Sequence, residues 1–229
     1  MKLVVIEGLD GAGKSTQIKM LTGYLEGKNL IYRYIHFPRT DAPFFGELVA
    51  RFLRGEFGTV ENVDPYLVAM LYAGDRKDAA DEINEWLSED NLVILDRYTY
   101  SNIAYQCAKL RDLSERQKLR KWILDLEFSH FRIPVPDINI FLDVPLSFTS
   151  SKLNASRQGD DRKYLRGLAD IHETDIDFQK RVRDTYLETA ATDDRLTILD
   201  CHDQRNNMLP PADIFRMILN LLKIRSILP

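Results

Sequence analysis

The sequence is poor in cysteine and has no excess of positive charge. Its 229 residues include two cysteines, Cys107 and Cys201, which lie far apart in the chain. Two distant thiols exclude a disulfide framework and lack the spacing of a zinc site, so we expect free thiols in a reducing compartment, the cytoplasm. The formal net charge of -4 argues against a nucleic-acid partner, which would require a basic face. A local cluster of Arg and Lys can still bind an anionic substrate.

Long apolar runs are also missing. The apolar stretch at residues 214–228 carries Arg216, Lys223 and Arg225, so it is too short and too charged to span a bilayer, and we interpret it as a packing helix. The first predicted strand begins at the start of the given sequence, so we expect neither a secretory signal nor a membrane partner. Hydrophobic residues make up 45% and charged residues 29%, as in ordinary globular proteins. A chain of this length is expected to form one domain over residues 1–229.

A glycine-rich motif follows the first predicted strand. Residues 3–6 are apolar and mostly β-branched, as in a buried parallel strand, and residues 8–15 match G-x-x-x-x-G-K-[ST] at every position. Small residues let backbone N–H groups approach phosphate oxygens. Lys14 brings a cation to the β- and γ-phosphates, and Ser15 offers a hydroxyl to Mg²⁺. The motif predicts a nucleotide phosphate site; the alternative is a glycine-rich turn that matches by chance.

Strands and helices alternate along the rest of the chain. Apolar runs at residues 30–36, 92–95, 138–144 and 196–199 predict four further strands, with helical periodicity between them. This alternation predicts an α/β fold in three layers, with helices on both faces of a five-stranded parallel sheet. In such sheets ligands bind beyond the carboxyl ends of the strands, and the polar motifs of this chain fall there.

Local signals predict several helix boundaries. Asp64 followed by Pro65 predicts the start of a helix that runs to about residue 87. Ser114 and Gln117 have the spacing of a capping box. The charged pattern over residues 170–191 predicts one long helix.

Charged residues follow two predicted strands. Asp96 ends a buried strand, where a carboxylate can hold Mg²⁺ opposite Ser15 or cap the next helix. Arg97 is placed either as a bidentate phosphate clamp or as half of a structural ion pair. Arg39 follows the second strand, where a ligand would lie. These positions predict an anion site at the same sheet edge as the glycine-rich loop.

Two further groups have both a functional and a structural interpretation. Tyr72 and Arg76 are four residues apart on a predicted helix, so their side chains share one face. An aromatic ring and a guanidinium placed in this way can bind a nucleotide together. The structural alternative is that Tyr72 is a core residue. Four cations gather in the polar stretch at residues 154–168, namely Arg157, Arg162, Lys163 and Arg166. This stretch is either a mobile lid that closes over phosphates or a solvated charged loop.

Together these motifs resemble the thymidylate kinase family. The resemblance rests on residues 7–16, Phe37-Pro38-Arg39, Tyr72-x-x-x-Arg76 and the run Asp96-Arg97-Tyr98-x-x-Ser101-x-x-Ala104-Tyr105-Gln106. Many NTPases share the phosphate loop, whereas its combination with Asp-Arg-Tyr-x-x-Ser is much more specific. The resemblance implies a P-loop NTPase fold and transfer of the γ-phosphoryl group of ATP to dTMP, giving dTDP and ADP with Mg²⁺. It also implies a homodimer.

The resemblance further assigns roles to residues. The residues implied to bind ATP are Gly8, Leu9, Asp10, Gly11, Ala12, Gly13, Lys14, Ser15 and Thr16. The metal ligands are implied to be Ser15 and Asp96. The residues implied to bind dTMP are Asp10, Phe37, Arg39, Tyr72, Arg76, Arg97, Ser101, Asn102, Tyr105 and Gln106. Among them, Arg39 and Arg97 would hold the phosphate, Tyr72 would stack on thymine, and Arg76 would bond its edge. Tyr105 stands where the family disfavours a ribose 2′-hydroxyl.

The resemblance also locates the catalytic cations. Family members carry a catalytic arginine either in the phosphate loop or in the lid, and position 11 is Gly. The lid is therefore implied to supply it, as in the bacterial arrangement, with Asp10, Lys14 and Arg97 as the other catalytic residues. The lid candidates are Arg157, Arg162 and Arg166.

Two other functions stay open at this stage. One is a related P-loop kinase that phosphorylates another nucleoside monophosphate or a deoxynucleoside. The other is a nucleotide-binding regulator without turnover, against which the sequence retains every candidate catalytic cation and contains no Asn-Lys-x-Asp guanine motif.

Overall fold

The centre of the fold is a five-stranded parallel sheet. The computed structural model describes residues 2–154, 164–168, 170–172 and 175–228. The strands are β1 (Lys2–Gly8), β2 (Tyr32–His36), β3 (Leu92–Asp96), β4 (Ile138–Asp143) and β5 (Leu196–Asp200), in the order β2-β3-β1-β4-β5. Every neighbouring pair is parallel. The α/β fold predicted from the alternation of elements is confirmed.

Helices connect the strands. They are α1 (Lys14–Gly27), α2 (Phe45–Leu53), α3 (Pro65–Ser88), α4 (Thr99–Cys107), α5 (Leu113–Leu124), α6 (Leu146–Asn154), α7 (Ile176–Ala190) and α8 (Pro211–Ile224). A π-helical segment, Asp125–His130, continues directly from α5. Across the residues that the structure describes, no helix combines the length and the apolar character that a bilayer crossing needs.

Alternate side chains of β1 enter two different hydrophobic clusters. Val4 and Ile6 belong to the larger cluster, which contains apolar residues of α1, α4, α7 and α8. Leu3 and Val5 belong to a second cluster, which contains residues of α3. Successive strand residues point to opposite faces of a sheet, so helices cover both faces in three layers.

The strand register brings the polar motifs together. Asp96, the last residue of β3, pairs with Ile6 of β1 on one side and with His36 of β2 on the other. The phosphate loop after β1, the segment after β2 and Arg97 after β3 therefore leave the sheet side by side. This shared edge is where the cavity described below opens.

Two predicted helix starts are wrong, and one is confirmed. Asp64 caps α3 by accepting from the backbone N–H of Tyr66 at 2.8 Å. Helix α5 is capped by Asp112, whose carboxylate accepts from the N–H of Glu115 and from the hydroxyl of Ser114. Ser114 therefore does not cap the helix, because an acceptor two residues earlier reaches the free N–H first.

The long helix predicted over residues 170–191 begins only at Ile176, with Asp175 as its cap. Asp170 instead accepts from the N–H of His172 and from the hydroxyl of Tyr164. Such side-chain bonds offer the backbone an alternative to the helix, and residues 171–172 form a turn beside the cavity. Strand β2 begins at Tyr32, two residues later than the start at residue 30 predicted from the sequence.

Candidate active site

The phosphate loop joins β1 to α1. Gly11 and Gly13 have φ values of 78° and 85°, a left-handed conformation that costs little only for glycine. A side chain at Gly8 would lie 3.2 Å from Cβ of Ala12 and 3.3 Å from Cγ of Lys14. The loop therefore needs small residues for its backbone to fold around an anion.

Lys14 is held by the loop that it follows. Its Nζ donates to the carbonyl oxygens of Leu9 at 3.2 Å and Gly8 at 3.4 Å. Burial, reinforced by the charge of Arg97, lowers the pKa of Lys14 to about 8. An incoming phosphate would compensate this buried cation.

A cavity of about 1060 Å³ opens at the carboxyl edge of the sheet. Fifteen of the predicted site residues line it: Asp10, Gly11, Lys14, Ser15, Phe37, Arg39, Tyr72, Arg76, Asp96, Arg97, Ser101, Asn102, Tyr105, Gln106 and Arg166. Five predicted loop residues do not line it, namely Gly8, Leu9, Ala12, Gly13 and Thr16. Arg157 and Arg162 lie outside the described residues.

Asp96 has one carboxylate oxygen available to a ligand. Nδ1 of His36 lies 3.2 Å from Oδ2 of Asp96, while the buried Oδ1 has no partner among the described residues. Burial favours the neutral acid, but the charge of Lys14 and the bond from His36 hold the pKa of Asp96 below its usual range. An ionised oxygen without a partner, in a cavity also lined by Ser15, fits Mg²⁺, which prefers oxygen ligands.

Arg97 has an unusual backbone conformation, and its guanidinium is hydrogen-bonded to three side chains of the site. Its φ of 67° is left-handed, which is uncommon for a residue other than glycine. The guanidinium donates to Oδ1 of Asp10 at 2.7 Å and to Oγ of Ser101 at 3.0 Å. The hydroxyl of Tyr105 donates to the other oxygen of Asp10 at 2.7 Å. Although burial opposes ionisation, Arg97 and Lys14 hold the pKa of Asp10 well below its usual range.

Arg39 is oriented by helix α3. Its Nε donates to Oδ1 of Asp75 at 2.9 Å, and its Nη2 donates to the backbone carbonyl of the same residue at 2.8 Å. The side chain of Arg39 is 22% exposed and that of Asp75 only 1%. A buried carboxylate therefore presents a partly exposed guanidinium to the cavity.

The cavity is also lined by side chains with unpaired buried polar atoms. Both amide atoms of Gln106 and Oδ1 of Asn102 are buried and have no partner among the described residues. Arg76 is 1% exposed, and its Nε and Nη2 both donate to Glu127 at 2.6 Å. Tyr72 packs against the cluster that contains Phe52, as the core interpretation predicts, and it also lines the cavity. Its stacking on a nucleotide base stays a prediction. Unpaired buried polar groups are costly, and a ligand here would satisfy them.

The segment after the polar stretch reaches the same cavity. Tyr164, Arg166, Asp170 and His172 line it, and Arg166 is exposed. The imidazole of His172 lies 5.0 Å from the ring of Tyr105, and its Nε2 has no partner among the described residues. Burial, followed by the charge of Lys109, lowers the pKa of His172 to about 3. The ring is therefore neutral.

Several residues at the site were missed by sequence reasoning. They are His36, Tyr164 and His172 in the cavity wall, and Glu7, Asp75, Glu127 and Gln179 behind it. Most of them pair with residues that are distant in sequence, whereas Tyr164 and His172 bond to the nearby Asp170. Glu7 alone carried a signal, because a charged residue interrupts an otherwise apolar strand.

These contacts define the chain as a P-loop kinase, with a phosphate loop, a strand-end aspartate and arginines around one cavity. A family model described as thymidylate kinase matches residues 6–209. Thymidylate kinase of Mycobacterium tuberculosis (strain ATCC 25618 / H37Rv) is 32% identical over 82% of this chain and 86% of its own length. Probable thymidylate kinase of Thermococcus gammatolerans is 31% identical over 96% and 95%. The chain belongs to the thymidylate kinase family.

The fold agrees with this assignment. The solved structure of thymidylate kinase from Candida albicans matches this chain with a TM-score of 0.70 and 25% sequence identity. The match covers 98% of this chain and 92% of that one.

Proposed function

We propose that this protein transfers the γ-phosphoryl group of ATP to dTMP, giving ADP and dTDP. One observation carries the proposal: in a chain of the thymidylate kinase family, a single cavity is lined both by cations that can bind phosphate and by side chains with unpaired buried polar atoms. Phosphoryl transfer requires positioning and charge neutralisation rather than covalent chemistry by the protein.

ATP would bind at the phosphate loop. The left-handed glycines Gly11 and Gly13 let backbone N–H groups turn toward the phosphates, and the N-terminus of α1 points at the same place. Lys14, whose Nζ is bound to carbonyl oxygens of the loop, would exchange these bonds for the β- and γ-phosphates.

The phosphate of dTMP would bind between Arg97 and Arg39. Arg97 already makes a two-point contact with Asp10 and Ser101, and Arg39 is anchored on Asp75. A planar guanidinium suits phosphate oxygens because it can donate two bonds at once. Asp10, between the loop and Arg97, would face the sugar and the metal.

Ser15 and Asp96 would hold Mg²⁺, and the partnerless Oδ1 of Asp96 supports this assignment. Held by these two residues, Mg²⁺ would supply positive charge that neutralises the charge developing on the phosphates. The lid arginines Arg157, Arg162 and Arg166 would supply the remaining cation; of these, Arg166 lines the cavity.

Thymine would bind at the far end of the cavity. Tyr72 offers an aromatic face, Arg76 offers a donor, and Oδ1 of Asn102 offers an acceptor. Tyr105, held by its bond to Asp10, would stand against the sugar with Ser101, Phe37 and Gln106 nearby in the wall.

We also propose a cytoplasmic homodimer. Both thiols are free and buried, which suits a reducing compartment. Helix α3 carries two large exposed apolar residues, Leu67 and Met70, which are 58% and 42% exposed and one turn apart on the same face. Sedimentation velocity tests the dimer: a dimeric mass that becomes monomeric in Leu67→Glu/Met70→Glu supports it, and a monomeric wild-type protein refutes it.

The activity is tested by measuring ADP release from ATP and Mg²⁺ with dTMP, dUMP, dCMP, dGMP, AMP or thymidine as the acceptor. A rate that strongly favours dTMP is expected. Activity on another acceptor would support the related-kinase alternative and refute the assignment of the base-binding residues. ATP binding without turnover on any acceptor would support the regulator. Family membership does not favour either alternative.

A further inference from the structure

Glu127 is a buried carboxylate behind the base end of the cavity. It lies on the π-helical segment that follows α5 and is 0% exposed. It does not line the cavity, and the roles proposed above do not include it.

Four donors converge on this carboxylate. Arg76 donates from Nε to Oε2 and from Nη2 to Oε1, each at 2.6 Å. Thr99 donates from its hydroxyl to Oε2 at 2.8 Å, and Asn102 donates from Nδ2 to Oε1 at 2.9 Å. Two carboxylate oxygens offer about four acceptor positions, so Glu127 is fully satisfied. It connects both base-edge residues of the proposed site to one fixed point.

The fork of Arg76 is therefore locked. Glu127 occupies Nε and Nη2, which leaves Nη1 as the remaining nitrogen of a side chain that lines the cavity. All guanidinium nitrogens are donors and none is an acceptor. At this point the cavity wall presents a donor in a fixed position.

Hydrogen bonds also fix the orientation of the Asn102 amide, but the atom that they leave unpaired is an acceptor. Its Nδ2 donates both to Glu127 at 2.9 Å and to the carbonyl oxygen of Ala69 at 3.0 Å. Both partners are acceptors, so only the –NH₂ end of the amide can face them. The other end, Oδ1, is buried and has no partner among the described residues. At this second point the wall presents an acceptor.

We propose that Glu127 is a positioning residue that sets the pyrimidine selectivity of the kinase. By holding Arg76 as a donor and Asn102 as an acceptor, it creates a pattern that matches thymine, whose O4 accepts and whose N3–H donates. Cytosine presents the reverse pattern, with a donor at N4 and an acceptor at N3. This proposal rests on the dTMP-binding site proposed above.

A neutralising ion pair alone would not account for the arrangement. Charge compensation of a buried guanidinium needs only the two bonds between Arg76 and Glu127. The bond that Asn102 donates to Glu127 determines which end of a neutral amide faces the cavity. This orientation is the property that discriminates between the two bases.

Glu127→Gln tests the proposal. Each carboxylate oxygen accepts from one nitrogen of Arg76, so either orientation of the glutamine amide sets its –NH₂ against a guanidinium N–H. Arg76 and Asn102 are then no longer held as a fixed donor and a fixed acceptor. We expect the ratio of kcat/KM for dTMP to kcat/KM for dCMP to fall by about 10-fold or more, mainly through a higher KM for dTMP, while the KM for ATP is unchanged.

Thr99→Val is the matched control. It removes a different bond to the same carboxylate, at a residue that is 0% exposed and does not line the cavity. The Arg76 and Asn102 bonds remain, so the dTMP to dCMP ratio is expected to stay at the wild-type value. An equal fall in Thr99→Val would overturn the proposal, because the ratio would then report general loosening.

The proposal is also overturned if Glu127→Gln folds and its ratio of kcat/KM for dTMP to kcat/KM for dCMP equals that of the wild-type protein. If Glu127→Gln does not fold, as judged by thermal unfolding and ATP binding, Glu127→Asp decides: it keeps the charge but draws the carboxylate back by one methylene. A reduced ratio in Glu127→Asp supports the positioning role, and a wild-type ratio refutes it. A wild-type protein without activity on dTMP would refute the proposed function itself, which separates the two failures.

Discussion

At the residue scale, the conformation of Arg97 depends on a buried acid outside the cavity. The backbone N–H of Arg97 donates to the carbonyl of Ile6 at 3.0 Å, and Glu7 accepts from the N–H groups of Tyr98 and Ser101. Burial raises the pKa of Glu7, while bonds from Ser101 and Tyr186 oppose the rise. Left-handed backbone at a non-glycine residue is retained only where its surroundings enforce it. Glu7 supplies that enforcement from β1.

Arg97→Lys should reduce activity although it keeps the charge. Lysine is a point charge and cannot reproduce the simultaneous contacts of Arg97 with Asp10 and Ser101. We expect kcat/KM for dTMP to fall by about 100-fold or more with the melting temperature little changed. Arg116→Lys is the control, because Arg116 pairs with Glu188 and does not line the cavity. Near-normal kinetics in folded Arg97→Lys would contradict the phosphate role.

Lys109→Met should stabilise the protein near neutral pH. Nζ of Lys109 is buried without a hydrogen-bond partner among the described residues and lies 4.9 Å from the ring of Phe52. Burial lowers the pKa of Lys109 from 10.5 to about 7. Between these two values the unfolded chain binds a proton that the folded chain does not, so the stability of the wild-type protein rises with pH in this window.

The advantage of Lys109→Met should therefore shrink as the pH rises. We expect it to fall by about 3 kcal/mol between pH 7 and pH 9.5, since each pKa unit corresponds to about 1.4 kcal/mol. Urea denaturation of both proteins at the two pH values measures this. A difference in unfolding free energy that does not vary with pH would show that the lysine is not destabilised by burial.

At the element scale, the position of α3 depends on its close contact with α2. A side chain at Gly74 of α3 would lie 2.3 Å from the ring of Phe45 in α2. The same helix carries Tyr72 and Arg76 one half-turn to either side. The close approach of α2 and α3 at Gly74 therefore positions the residues proposed to bind the base. A substitution that separates the two helices should weaken the binding of dTMP.

Gly74→Ala should destabilise the fold and weaken dTMP binding. Overpacking of this kind costs about 1–3 kcal/mol, and the displaced helix would carry Arg76 away from its bond with Glu127. Chemical denaturation and the KM for dTMP measure the two effects. Gly23→Ala in α1 is the control, because none of the described residues lies within 4 Å of its new side chain. A helical Gly→Ala change there should stabilise by about 0.5–1 kcal/mol. Equal behaviour of the two variants would refute the packing argument.

At the scale of the whole molecule, the sequence predicts what is local and misses what is paired at a distance. The phosphate loop, the strand-end Asp96-Arg97 pair and the cap at Asp64 follow from short-range spacing. The partners of Arg76 and Arg39 do not, since Glu127 is 51 and Asp75 is 36 residues away. Only the folded sheet, with β1 at its centre, brings such pairs together. The turn at Asp170 is an exception: its bonds are local, and the helical pattern of the sequence does not reveal that they replace the first turn of the predicted helix.

The proposed transfer needs one more cation at the centre of the assembled cavity, and the lid region is proposed to supply it. Alanine is substituted singly at Arg157, Arg162 and Arg166. One variant is expected to lower kcat by about 100-fold or more, with little change in the KM for ATP or for dTMP. A cation that stabilises negative charge only in the transition state affects kcat rather than substrate binding. Steady-state kinetics with ATP and dTMP measures this.

Arg132→Ala is the control for that comparison, since Arg132 is exposed and does not line the cavity. If all three lid variants match the control in kcat, the cation must come from elsewhere at the site. Arg39 and Arg97 would then be the remaining arginines of the proposed phosphate site, and each would have to serve transfer as well as binding. A large loss in one lid variant alone identifies the residue that acts on the transferring phosphoryl group.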